Sequence, residues 1–132
     1  MLYLPENIVK EMIEYAREEA PLEACGILAG REKRIKRFYS MSNTDRSPRS
    51  YFMDPAEQLK VMKEIRNSNL EMVGIIHSHP ASPAYPSARD IELAFYPELS
   101  YVIVSLEHNN QPDIGSFRIN KGKIIKEELV IA

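Results

Sequence analysis

His77 and His79, one residue apart, are the side chains of this sequence best suited to hold a metal ion. They close the run Gly74-Ile75-Ile76-His77-Ser78-His79-Pro80. The stretch from Met72 to Ile76 is short, mostly apolar and rich in β-branched residues, which predicts a buried strand. Side chains two apart on a strand share a face and stand about 6–7 Å apart at the backbone, so both rings can reach one ion. Pro80 cannot donate to a ladder, and the strand must stop there or leave the sheet. After the turn-rich segment Ala81-Ser82-Pro83-Ala84-Tyr85-Pro86, the chain comes back with Ser87-Ala88-Arg89-Asp90. Two imidazoles and a returning carboxylate leave a coordination position for water, as catalytic zinc sites do. The same donors can also form the facial triad of a non-haem iron enzyme, which needs a co-substrate pocket that nothing in the sequence signals.

Each of these residues has a plainer explanation as well. A histidine on an apolar strand is often a hydrogen-bonded core group. Ser87 and Asp90 match a helix capping box, with the acid also favoured by the helix dipole. That reading is compatible with chemistry, because a capped helix end holds Asp90 still. Glu23 lies in the apolar run Leu22-Glu23-Ala24-Cys25-Gly26-Ile27-Leu28. It is either a buried acid satisfied by backbone N–H groups or a general base whose pKa is drawn toward neutrality by burial. Cys25 shares the face of Glu23 on an extended chain and reads as a small buried hydrophobe, with an extra metal ligand or a redox-sensitive thiol as alternatives. Tyr85 and Tyr96 read as packing or rim residues, and His108 receives no role.

The elements that must position these groups follow from periodicity. Residues 6 to 20 read as a helix with Ile8, Val9, Met12, Ile13, Ala16 and Ala20 on one face, ended by Pro21. A strand entered near Cys25 and a second over Ile35 to Met41 make a hairpin whose basic cluster, Arg31, Lys33, Arg34, Lys36 and Arg37, is a solvated face. Residues 42 to 50 form a polar loop, and Tyr51-Phe52-Met53 a short strand. Asp54-Pro55-Ala56-Glu57 starts a helix with a capping-box glutamate, and Leu59, Met62 and Ile65 are its expected buried stripe. A third helix opens at Ser87, turns Ala88, Ile91, Ala94 and Phe95 inward, and stops at Pro97. Ser100 to Leu106 is a strand, residues 107 to 112 a loop, and Ile114 to Ile119 and Ile124 to Ala132 two strands joined at Asn120-Lys121-Gly122. Six or seven strands with three helices place the chain in the mixed α/β or α+β class.

A length of 132 residues suits one domain spanning 1–132 and buries a core without disulfides or a structural metal. A net charge of −2 speaks against non-specific nucleic-acid binding. One cysteine excludes an internal disulfide and fits a reducing compartment. The N-terminus lacks a basic region followed by an apolar run, and no apolar stretch approaches the ~18 residues of a membrane span, so a cytoplasmic location is expected.

The pattern of Glu23, then His77-Ser78-His79-Pro80, then Ser87 and Asp90 resembles the JAMM (MPN-plus) zinc metalloprotease family. The segments Pro21 to Leu28, Tyr51 to Pro55 and Pro83 to Ser87 are similar to its short prokaryotic members, so the resemblance covers nearly the whole chain. It implies an α+β fold with a curved, partly closed mixed sheet flanked by about three helices, of cytidine-deaminase-like architecture. It implies one Zn2+ per chain on His77, His79 and Asp90, with Glu23 as the acid/base and Ser87 supporting the water and the oxyanion. Ser78 would support the loop geometry. The implied reaction is hydrolysis of a peptide or isopeptide bond after the Gly-Gly tail of a ubiquitin-like or sulfur-carrier protein. The 42–50 loop would lie near the tail, which is expected to bind by strand addition to a sheet edge. A homodimer stays open as the assembly. The alternative within the same fold is a non-catalytic interaction scaffold, as in relatives that lack the metal residues; here all five positions are present.

Overall fold

The computed structural model describes residues 1–108 and 110–132; Asn109, within the expected 107–112 loop, lies outside the described residues. The elements run β1 (Leu2–Leu4), α1 (Glu6–Glu19), β2 (Cys25–Arg31), β3 (Arg34–Met41), α2 (Pro55–Asn67), β4 (Glu71–His79), α3 (Ala88–Glu92), β5 (Ser100–Ser105), β6 (Asp113–Asn120), β7 (Lys123–Glu127) and β8 (Leu129–Ile131). The strands form one mixed sheet in the order β7-β6-β5-β4-β2-β3-β1-β8. The β2–β3 hairpin and the β2–β4 pair are antiparallel, whereas β4 and β5 run parallel, with α3 in the crossover between them. None of the helices is long and apolar enough to cross a membrane, among the described residues.

Strand alternation divides the core between the two faces of the sheet. Leu28, Ile76, Val102 and Val104 pack toward Ile8, Met12 and Ala16 of α1. Cys25, Ile27, Ile75, Tyr101 and Ile103 pack on the other face with Ile65 of α2. Because β4 contributes to both faces, it is buried almost throughout, which is why it reads as an unbroken apolar run.

Four local expectations are corrected. Tyr51-Phe52-Met53 is not a strand; its only ladder contact among the described residues is a bridge from Met53 to Asn43. On α2, Ile65 is buried, but Leu59 is 58% and Met62 43% exposed. The inner face runs through Gln58, Val61 and Ile65, with Val61 packed on the core, so Leu59 and Met62 fall one position round the helix and face outward. Asp54 caps this helix through Ala56 N, but Glu57 does not complete the box: its carboxylate accepts from Ser42 N at 2.8 Å and Ser42 Oγ at 2.6 Å. The third helix ends at Glu92; Ile91 and Ala94 pack inward, whereas Ala88 is exposed and Phe95 is 69% exposed.

The last expected strand, 124 to 132, is two. β7 pairs with β6, then the chain crosses to lie parallel to β1, with Leu2 opposite Leu129. Glu127 is pinned at the crossover, its Oε1 accepting from Ser100 Oγ at 2.6 Å and Ser116 Oγ at 2.8 Å. This exchange joins both ends of the sheet and curls it nearly closed. The strand β1 was not anticipated because three residues carry no usable period.

The corrected stripe of α2 has a direct test. Ile65→Ala should lower the unfolding free energy by about 2–5 kcal/mol, and Leu59→Ala by less than ~0.5 kcal/mol, in denaturant titrations.

Candidate metal centre

The site is built at the C-terminal end of β4. His77 lies opposite Ile103 and Cys25, and His79 opposite Ser105, so the strand is held on both sides as it delivers the two rings. The backbone beyond is held too, since Leu106 N donates to His79 O at 3.0 Å. Asp90 arrives from α3, whose start is a complete capping box: Ser87 Oγ accepts from Asp90 N at 3.1 Å and Asp90 Oδ2 accepts from Ser87 N at 2.9 Å. The side chain that completes the cap thus also turns its Oδ2 toward the two histidines.

His77 Nε2, His79 Nε2 and Asp90 Oδ2 form a triangle with each edge 3.1 Å. Donors held at 2.0–2.1 Å around a tetrahedral zinc ion lie about 3.3 Å apart, so the triangle fits such an ion on one side with a position left for solvent. The tautomer fits as well. His79 Nδ1 is 2.8 Å from Pro83 O, a group that can only accept, so Nδ1 carries a proton and Nε2, which donates to Asp90 in the metal-free site, is the nitrogen that would offer its lone pair to an ion on losing its own proton. His77 is 2% exposed and its Nδ1 has no hydrogen-bond partner among the described residues. Its ring is instead stacked on Tyr51, centroids 4.7 Å apart and planes 26° apart.

Electrostatics separate the roles. Burial opposes ionisation of Asp90, but the hydrogen bonds from His77 and His79 outweigh it and hold the carboxyl well below its usual range. Burial lowers the pKa of His77, keeping it neutral. For His79, burial works the same way but the contact with Asp90 overcomes it and the net shift is upward. Glu23 is 3% exposed and its Oε1 lacks a partner among the described residues. Burial pushes its carboxyl up to about 8, against the pull of His79 and with the push of Asp90. The turn carrying Glu23 is tied to β4 by Ala24 N donating to Ser78 Oγ at 2.8 Å and Ser78 N donating to Ala24 O at 2.9 Å. Ser78 thus fixes backbone geometry, as expected from its place in the motif.

Cys25 stands opposite His77, yet its Sγ turns to the carbonyls of Met41 and Ser42, 3.7 Å from each, and burial pushes the thiol up to about 12. It is neither in the donor group nor a thiolate. Tyr85 lies edge-on to Phe117, and Tyr96 is half exposed at the rim. His108 is exposed beside Glu107. Tyr51, read in the sequence as a strand residue, was missed as a contact of the site; a three-residue segment offers no pattern to reveal a stacking partner. The sheet edges are β7 and β8, and β4, which carries the histidines, lies between β2 and β5.

The family described as prokaryotic homologs of the JAB domain matches residues 5–120. The chain belongs to the prokaryotic JAB family. This JAB chain is 40% identical over 129 residues to the CysO-cysteine peptidase of Mycobacterium tuberculosis, covering 96% of the chain and 88% of that protein. It is 38% identical over 104 residues to a probable TtuB-protein conjugate cleaving protease of Thermus thermophilus, covering 78% and 69%. The solution structure of protein DSY2949 from Desulfitobacterium hafniense superposes with a TM-score of 0.92 at 43% identity, over 100% of this chain and 93% of that one. The mixed, nearly closed sheet and the peptidase names of the relatives agree with the JAMM-type reading of the motif.

Two outcomes follow from the geometry. His77→Ala and Asp90→Ala should each lower bound zinc from about one ion per chain toward zero in elemental analysis, with Cys25→Ser unaffected. Metal-free Glu23→Gln should melt above the parent at pH 8. With its folded pKa raised from 4.5 to about 8, Glu23 keeps its proton in the folded state where the unfolded chain releases it, so the parent loses stability as pH rises through that window. The gap should close below about pH 4.5.

Proposed function

We propose that this chain is a zinc-dependent hydrolase that cleaves the peptide or isopeptide bond after the Gly-Gly tail of a ubiquitin-like or sulfur-carrier protein. The observation that carries this reading is the 3.1 Å donor triangle set beside the buried carboxyl of Glu23, whose Oε1 has no partner among the described residues. His77, His79 and Asp90 would hold one zinc ion. When bound, the zinc supplies Lewis acidity that makes water acidic near neutrality and polarises the scissile carbonyl.

The chain's own groups do the rest. Glu23 takes the proton of the attacking water and returns it to the leaving amine. Burial raises this carboxyl in the metal-free site, and the charge of a bound ion would draw it back toward the neutral range that suits both transfers. Ser87 Oγ already accepts from Asp90 N, so its own proton remains to be donated to the developing oxyanion. Asp90, held ionised, balances the charge of the ion and does not compete for the proton.

The substrate class draws on the relatives' names, which concern a CysO-linked cysteine and TtuB–protein conjugates. A protein substrate is also supported by the surface. Phe52, Leu59 and Met62, from α2 and the segment before it, and Leu93, Phe95 and Tyr96 after α3, are large apolar side chains left exposed on elements that pack against the site's face of the sheet. Exposed apolar groups of this kind mark protein contacts. The tail would bind extended, by strand addition near the 42–53 segment, in a channel that admits only glycines close to the metal.

Glu23→Gln should keep its zinc and lose about 10²–10⁴-fold in kcat on a tail-extended carrier protein followed by mass. Near-normal turnover would remove Glu23 from the chemistry. Replacing the tail glycines with alanine should abolish cleavage by the parent protein, and full activity on that tail would overturn the Gly-Gly assignment.

A further inference from the structure

Asn43 lies in the polar loop between β3 and α2, yet it is only 7% exposed. Its side-chain amide makes four hydrogen bonds. Nδ2 donates to Glu23 O and to Ser50 O, both at 3.0 Å. Oδ1 accepts from Asp45 N at 3.0 Å and Phe52 N at 3.1 Å. Both donors and both lone pairs of the amide are thereby used. Ser50 and Phe52 are the two neighbours of Tyr51, so two of the four bonds fix the backbone on either side of the ring that stacks on His77. A third fixes the carbonyl of Glu23 itself. The same loop is closed by Glu23 N donating to Ser47 O at 2.8 Å and Thr44 N donating to Phe52 O at 2.9 Å.

His77 needs such support. Metal-binding imidazoles are ordinarily oriented by a hydrogen bond from the second ring nitrogen, and Nδ1 of His77 has none among the described residues. Tyr51 stacks face-to-face on this buried ring, a contact that opposes its turning, and a turned ring takes Nε2 out of the donor triangle. The segment from 43 to 53 contains neither helix nor strand of its own, so the four bonds of the Asn43 amide add to a few backbone bonds in holding its position.

We infer that Asn43 is a positioning residue for the site: one buried amide holds the backbone of Glu23 and, through Tyr51, the ring plane of His77. The inference rests on the metallopeptidase reading for its meaning, but its first measurement does not need turnover. An aspartate would lose both donors and face two carbonyls with a negative charge, and an alanine would leave the partners in the loop unpaired, so the role is specific to the amide.

The experiment uses the full chain and three variants. Zinc affinity is measured by competition with a chelator, and the parent's own affinity is measured first. A parent that takes up no zinc overturns the metal reading, independently of the role of Asn43. With zinc bound by the parent, Tyr51→Leu should weaken affinity about 10–100-fold, while Tyr51→Phe, which keeps the stack, should stay within about twofold. Asn43→Ala should weaken affinity similarly, alter the visible bands of the cobalt-loaded protein, and lower kcat about 10–100-fold with KM within about twofold. A purely structural asparagine would leave the cobalt spectrum and the kcat of the folded fraction unchanged, and that result overturns the inference. Should Asn43→Ala fail to fold, the Tyr51 pair decides: equal zinc affinity in Tyr51→Leu and the parent is the overturning outcome.

Discussion

One carboxylate oxygen carries the geometry of the site. Asp90 Oδ2 accepts the backbone N–H of Ser87 at 2.9 Å and faces two imidazole nitrogens at 3.1 Å. The first contact starts a short helix; the other two draw that helix onto the end of β4. A five-residue helix has little stability of its own. It is held where it is because its cap is also the third corner of the donor group. Without a cation, the two neighbouring rings favour the ionised form of this carboxyl; with one, the same three donors are already converged.

Glu23 is the counterpart, a carboxyl placed where its charge is poorly solvated. Burying such a group without a partner is unfavourable, and folded proteins usually avoid it by pairing or protonation. Here the backbone on which it is carried is tied by Ser78, Ser47 and Asn43, and the side chain stays buried. The result is an acid with a pKa near 8 next to one held ionised. Two carboxyls with their pKa values driven apart by their surroundings are the usual foundation of acid/base division of labour.

Much of this was readable from residue order. Positions two apart on a buried strand put His77 and His79 on one face, and Ser-x-x-Asp at a helix start positioned Asp90, because both rest on short-range geometry. Paired β2 and β3, the helix α1 and the cap at Asp54 are local in the same sense. What failed was non-local. Leu59 and Met62 are apolar at helical spacing, yet the face of α2 that meets the core runs through Val61 and Ile65 and leaves them turned outward. Glu57 has the right spacing for a capping box but meets Ser42 instead. The stretch after Gly122 reads as one strand, and only the curl of the sheet divides it between β6 and β1.

The sequence by itself determined the donor types, their spacing and the class of fold, since motif spacing and strand alternation are properties of a few consecutive residues. Tertiary structure alone decided that Cys25, level with His77 on the neighbouring strand, turns its sulfur away, and that Tyr51 supplies a stacking face. It also decided that Asn43 reaches back to Glu23 and that β4 has no open edge. Those facts depend on contacts between segments far apart in the chain, and no local period encodes which of them will meet.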